Sequence, residues 1–226
     1  MITVLSYLVI IFGYIALFVF IFGLTYRILG WARLPTGFYW GLYPRPTKWT
    51  FSSVIWKIFA LPTLFTTDKQ LWIAAIFFHI VLFMSVALHF ELLGVHFGPE
   101  ATIDPIGACA GIIALIAVVY YIQRRLGITR SKEISALATH FWLWLLLVQV
   151  GIGTYLRAFD VVAPEVYSAF AISVLTFKPT LPPPDLWFLF HAFIGEMYLF
   201  YIVFGKPVHS IGQFFSQYIL AKPERR

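Results

Sequence analysis

The sequence predicts an all-α membrane protein built from five transmembrane helices. Three observations carry that expectation. Of 226 residues, 61% are hydrophobic and 12% are charged, a balance no ordinary soluble domain requires. Five runs each approach the roughly 20 apolar residues needed to cross the hydrocarbon of a bilayer. Lys and Arg gather in alternate connections, the pattern by which membrane chains are oriented. The connections are short, so residues 1–226 are expected to form a single integral-membrane domain.

The first span is expected over residues 3–26, rich in Phe, Ile, Leu and Val, with Gly13 and Gly23 as small packing positions. No Lys or Arg precedes it, and the first is Arg27. A secretory signal carries its positive charge ahead of the apolar region, so a retained span is expected, with the N-terminus outside. Residues 30–70 do not span. They carry Arg33, Arg45, Lys48, Lys57 and Lys69 and are interrupted by Pro35, Pro44, Pro46 and Pro62. Within them, residues 49–65 are apolar but too short and too interrupted to cross, which predicts an interfacial helix between spans one and two. Such a helix serves as a membrane anchor or as a docking surface for a peripheral subunit.

Span two is expected over 71–94, span three over 106–122, span four over 134–156 and span five over 186–205. Span three ends in Arg124, Arg125, Arg130 and Lys132. Span four leads into a loop with Asp160, Glu165 and Asp185, in which Pro182, Pro183 and Pro184 stiffen the approach and Asp185 caps the fifth helix. Segments assigned inside hold 14 of the 16 Lys and Arg, and Arg157 and Lys178 fall outside. The C-terminus is therefore expected inside, in a multi-pass protein of the cytoplasmic membrane, and spans two and five run antiparallel. The net charge of +6 reports this topology and not an affinity for nucleic acid.

Four histidines lie at or near membrane depth, where an unpaired imidazole costs free energy and marks a functional candidate. Span two holds His79 and His89, and His191 and His209 belong to span five and its continuation. At about 100° and 1.5 Å per residue, His191 and His209 return to the same helix face about 27 Å apart, while His79 and His89 are about 15 Å apart with faces roughly 80° apart. In antiparallel spans the early histidine of one is level with the late histidine of the other, pairing His79 with His209 and His89 with His191. Helix tilt and side-chain reach have to absorb the unequal separations. Two bis-histidine b-type haems suit this arrangement. A lone histidine in an apolar helix is more often an interhelical hydrogen-bond partner than a ligand, but four that pair by depth are less easily read that way.

The remaining polar residues bound the chemistry. Cys109 is the single cysteine, so an intrachain disulfide or a cluster held by this chain is excluded, and C-x-x-C-H is absent, which excludes covalent haem attachment. His96 is read as solvated and His140 as a partner of a neighbouring helix. Glu196 is either a proton route or a protonated bond donor between helices. Arg157 is a candidate partner for a haem propionate, with snorkelling to the surface as the alternative.

Beyond these spacings, the chain carries F-H-I at 78–80 with a second histidine ten residues later, A-G at 110–111, Q-R-R-L at 123–126, L-L-x-V-Q at 145–149, and His191 with His209 eighteen further. In these motifs it resembles the gamma subunit of respiratory nitrate reductase and its relatives, the membrane cytochromes b of sulfite-reduction-associated and heterodisulfide-reductase-type complexes. The resemblance implies an inner haem on His79 and His209, an outer haem on His89 and His191, and a quinol or menaquinol site beside the outer haem. Where the nitrate reductase pattern has lysines before the third span, this chain reads T-I-D-P-I at 102–106. Asp104 is accordingly the candidate polar residue near His89 in the quinone site, whose catalytic residues are otherwise unassigned.

The implied function is electron transfer, in either direction, between the quinone pool at the outer side and an iron–sulfur partner at the inner face. A terminal reductase or heterodisulfide-reductase-like subunit would then handle the final substrate. Two other classes stay open: a membrane transporter with the histidines in a proton or metal path, and a cofactor-free anchor. A transporter of the repeat kind would show paired, Gly/Pro-interrupted spans, and the chain shows no internal repeat.

Overall fold

Each of the five apolar runs folds as a helix in the computed structural model, which describes residues 2–33, 50–95, 97–127, 137–205, 208–209 and 211–215. In chain order the elements are α1 (Ile2–Ala32), α2 (Phe51–Ala60), α3 (Pro62–Thr67), α4 (Lys69–Leu88), a 3-10 turn (His89–Leu93), α5 (Glu100–Gly127), α6 (Leu137–Ala158), α7 (Pro164–Leu175) and α8 (Leu186–Phe204). No strand occurs among the described residues. Five helical stretches are long and apolar enough to cross a membrane: Ile2–Ala32, Lys69–Leu93, Thr102–Gly127, His140–Ala158 and Leu186–Phe204. This is an all-α, multi-pass architecture, and helices suit it because they satisfy their own backbone groups where no water can. Large apolar side chains such as Phe18 and Phe22 on α1, Phe83 on α4 and Ile116 on α5 are exposed, as expected of surfaces facing lipid.

Contacts divide the chain into two compact units, Met1–Tyr14 with Ile73–Gly195, and Ile15–Trp72 with Glu196–Arg226. In the first unit, Ala110 and Ala114 of α5 and Val81 of α4 form a buried cluster with Met84 and Val150 packed on it. Small residues govern how closely α5 and α6 approach. A Cβ at Gly107 would come within 2.9 Å of the Arg157 Nε, and one at Gly111 would collide with the Thr154 side chain. Close approach through glycine replaces the hydrophobic drive that lipid removes.

In the second unit, Gly23 plays the same part between α1 and α8. A Cβ there would meet Val203 Cγ1 at 2.6 Å, in keeping with the packing role its size suggests. The segment expected as one interfacial helix is two. Thr50 opens α2 with a capping box, its Oγ1 accepting from Ser53 N at 3.2 Å. The helix then breaks at Leu61, which adopts φ 47° and ψ 51°. Pro62 accounts for the break, because it disfavours the α conformation in the preceding residue and starts α3 itself. Trp72 Nε1 donates to the Ala60 carbonyl at 2.8 Å and fastens the end of α2. Trp49, included in the expected helix, lies outside the described residues.

Two further departures bear on the site. Span two does not stay α-helical to its end, since α4 stops at Leu88 and the chain tightens into the 3-10 turn that Gly94 terminates at φ 77°. Only glycine enters that left-handed region without steric cost. The stretch read as a loop after span four contains α7, which is too short to span. Its Ser168 hydroxyl donates to the Leu92 carbonyl at 3.2 Å, while Tyr14 OH donates to the Val174 carbonyl at 2.9 Å. Asp185 caps α8 as expected, accepting from Phe188 N at 2.7 Å.

Candidate functional site: a paired-histidine centre beside an ion-paired cavity

His89 and His191 come together in the first unit. His89 opens the 3-10 turn at the end of α4, and His191 lies in the second turn of α8. Their ring centroids are 6.1 Å apart with planes inclined by 21°. Two imidazoles facing each other across one metal through bonds of about 2 Å, each with its ring centre ~1.2 Å behind the nitrogen, would have centroids ~6.4 Å apart. A plain aromatic pair also falls in this range, so donor chemistry has to decide between them.

Hydrogen bonds fix which ring nitrogen carries the proton in two of the histidines. His89 Nδ1 lies 2.7 Å from the Ser85 carbonyl and His79 Nδ1 lies 2.6 Å from the Ala75 carbonyl. A carbonyl can only accept, so Nδ1 carries the proton in each and the lone pair is at Nε2. Ligating histidines commonly donate their second nitrogen in this way, which fixes tautomer and ring orientation. The i−4 carbonyl supplies the partner from the helix's own backbone, so helical spacing suffices to build the arrangement. In His191 the Nδ1 is buried without a hydrogen-bond partner, and Nε2 lies 3.5 Å from Gln149 Nε2. An orphaned buried nitrogen costs free energy, so His191 is the less satisfied of the two imidazoles.

Glycine makes the seat for His191. A Cβ at Gly153 of α6 would come within 2.7 Å of His191 Cε1, so α6 can lie against the imidazole only because that position has no side chain. His89 is itself exposed, leaving its ring open on one side for a flat macrocycle to cover. Among the described residues, no three His, Cys, Asp or Glu side chains converge. Two imidazoles from this chain would suit a porphyrin, which supplies nitrogen ligands of its own. His79 lies in the first unit and His209 in the second. His140 stands near the start of α6, and His96 lies outside the described residues.

Beyond His89 the same turn carries an ion-pair cluster. Arg157 near the end of α6 donates from NH1 to Glu91 Oε2 at 2.8 Å, and its Nε lies 2.9 Å from Asp104 Oδ1 on α5. Arg157, considered as a propionate partner, thus finds two carboxylates within the protein itself. The cluster ties the 3-10 turn, α5 and α6 at one level. Beside it opens a cavity of about 330 Å³ lined by Glu91, Gly94, Asp104, Glu165, Ser168 and Ile172, among others. In the second unit Glu196 Oε2 is buried without a hydrogen-bond partner.

Sequence reasoning singled out Asp104 and Arg157 but missed Glu91, Ser168 and Gly153. Glu91 carried a usable signal, being an acid at the end of an apolar run that also contains His89. Gly153 carried none, because a glycine within a helix says nothing about which ring it faces.

No family model matches the chain. It is similar to two curated proteins, each named Hdr-like menaquinol oxidoreductase cytochrome b-like subunit. With that of Archaeoglobus profundus it shares 26% identity over 260 aligned positions, covering 90% of this chain and 75% of the relative. With that of Archaeoglobus fulgidus it shares 26% over 263 positions, covering 92% and 78%. Both relatives carry names of the heterodisulfide-reductase-like kind and neither is named as a nitrate reductase subunit, so the similarity supports that branch of the resemblance.

Proposed function

We propose that this chain is the membrane cytochrome b subunit of a menaquinol oxidoreductase of the heterodisulfide-reductase-like kind. It holds two b haems, one on His89 and His191 and one on His79 and His209, and exchanges electrons with an iron–sulfur partner. The observation that carries the reading is the His89–His191 ring pair at 6.1 Å, with His89 Nδ1 engaged by Ser85. The similarity to proteins named for menaquinol oxidation supports it. The distribution of Lys and Arg supports an N-terminus outside the cell membrane, a C-terminus inside and docking of the iron–sulfur partner at the inner face.

A haem held by these histidines would supply one-electron chemistry. The chain's own residues do the rest. Ser85 and Ala75 carbonyls fix the tautomers of His89 and His79. Gly153 leaves room for His191. The Arg157 cluster holds the turn that carries His89, and α7 covers that turn through Ser168. Quinol enters beside His89, in the region of Asp104, and the same arrangement serves quinone reduction.

A reduced-minus-oxidised visible spectrum of the purified full chain, with haem counted per polypeptide, tests the reading. Two b haems are expected, falling to one in His89→Ala and to one in His79→Ala. A chain that binds no haem when expressed with its partners would overturn it and leave a transporter or an anchor.

A further inference from the structure

The two short helices between the first and second spans have a chemistry that the paired histidines do not use. A helix on a water-facing surface buries its apolar side and exposes a polar one. In α2 the outer side is aromatic. Val54 turns inward at 5% exposure, while Phe51 and Trp56 stand 71% and 65% exposed. Lys57, also exposed, flanks Trp56. In α3 the exposed Thr63, Thr66 and Thr67 share one helix face, and Phe65 turns away from it.

Three contacts fix the depth of these helices. Trp72 lies in the first turn of α4, where that span enters hydrocarbon. Its indole donates to the Ala60 carbonyl at 2.8 Å, and its ring meets Phe65 edge-on with centroids 5.0 Å apart. The Lys69 ammonium stands 5.7 Å from the centre of the Phe65 ring. The end of α2 and the ring of α3 are thus pinned at the mouth of a span, the level at which Trp and Lys serve as membrane anchors. A peripheral protein reaches only a face turned to water, whereas an aromatic face held at this depth meets head groups and the first acyl carbons. Charge then selects the lipid. Residues 30–67 hold Arg33, Arg45, Lys48 and Lys57 and no Asp or Glu. The first acid after them, Asp68, accepts from Leu71 N at 3.0 Å and caps α4.

We propose that α2 and α3 form a lipid-binding elbow, in which Phe51 and Trp56 enter the boundary between head groups and acyl chains and Lys57 pairs with the phosphate of an anionic phospholipid. The occupant of this face is the bilayer and not a peripheral subunit. Segments of this kind gain from apolar burial and from attraction between basic residues and anionic lipid together. Neither term involves haem, so the elbow stands apart from the cytochrome reading.

The test uses the full chain, with whatever subunits co-purify, in nanodiscs of phosphatidylcholine with and without phosphatidylglycerol. In a Cys109→Ala background, Trp56→Cys or Thr66→Cys carries a bimane fluorophore, which is quenched either by lipid bearing a nitroxide near the head group or by aqueous iodide. Trp56→Cys should be quenched by the lipid and protected from iodide, and Thr66→Cys should show the reverse. Nitroxide-labelled phosphatidylglycerol should quench Trp56→Cys more strongly than labelled phosphatidylcholine does. Lys57→Gln should lower that preference by up to about fivefold, the worth of one basic residue at an anionic surface, and Lys57→Arg should keep it. Iodide quenching of Trp56→Cys as strong as that of Thr66→Cys would overturn the elbow. Protection of Trp56→Cys from both quenchers would overturn it in favour of a docked protein. Equal quenching by the two lipids, or a preference unmoved by Lys57→Gln, would overturn the anionic head group. Absence of b-type bands would instead defeat the cytochrome reading and leave every one of these readouts unchanged.

Discussion

Gly153→Ala isolates the geometry of the His89–His191 pair. The added Cβ would sit 2.7 Å from His191 Cε1 and 3.4 Å from both ring nitrogens. Carbon atoms prefer about 3.5–4.0 Å, so the imidazole or α6 has to withdraw by ~0.8 Å or more. Metal–ligand distances tolerate about ±0.2 Å, so a shift several times larger would cost His191 its place as a haem ligand on the proposed reading. The fold itself should lose little. Overpacking costs about 1–3 kcal/mol, and replacing a helical glycine by alanine returns about 1 kcal/mol, leaving a net loss of ~0–2 kcal/mol. Haem content per polypeptide should therefore drop from two toward one while the thermal midpoint moves by a few degrees. Gly151→Ala is the control on the same helix, since its Cβ would meet only Leu115 Cδ2 at an ordinary 3.9 Å, and it should retain both haems. A Gly153→Ala chain with full haem content and an unshifted spectrum would refute the claim that His191 ligates from this seat.

Glu91→Gln should destabilise the chain by about 1–3 kcal/mol, above the value of exposed pairs and below that of fully buried ones, because both partners are largely but not wholly covered. Thermal unfolding should show the loss as roughly 2–4 °C per kcal/mol, and an unchanged midpoint would mean that the pair contributes nothing. For topology, Thr3→Cys and Lys222→Cys, each in a Cys109→Ala background, should react with an impermeant thiol reagent from opposite sides of the membrane. The Thr3→Cys position should label in intact cells and the Lys222→Cys position only after lysis.

The five spans were readable because span length is a local property, settled by counting apolar residues against the thickness of hydrocarbon. Asp185 and Gly23 were readable for a related reason, as their roles follow from chemistry one turn away or from size alone. The break at Leu61 was only half visible. Pro62 announced it, yet the apolar run on both sides concealed that two helices would replace one. The 12-residue α7 was hidden by the opposite ambiguity, being too short for a span and too apolar for the loop its acidic neighbours suggested. The hardest feature was the Arg157 cluster, since meeting Glu91 and Asp104 requires the depth and rotation of three helical elements at once.

Partnership is what a sequence conceals, and the membrane makes partnership compulsory for polar groups. That compulsion allows an inference in the other direction. Glu91 and Asp104 satisfy Arg157 within the protein, and Ser85 satisfies one nitrogen of His89. What is left over is an unpartnered nitrogen on His191 and the lone pair of His89. On the reading proposed above, a haem held between the two imidazoles would use the lone pair of His89. The proposed cytochrome function therefore rests on an accounting of polar groups that the spectrum of the purified chain can check.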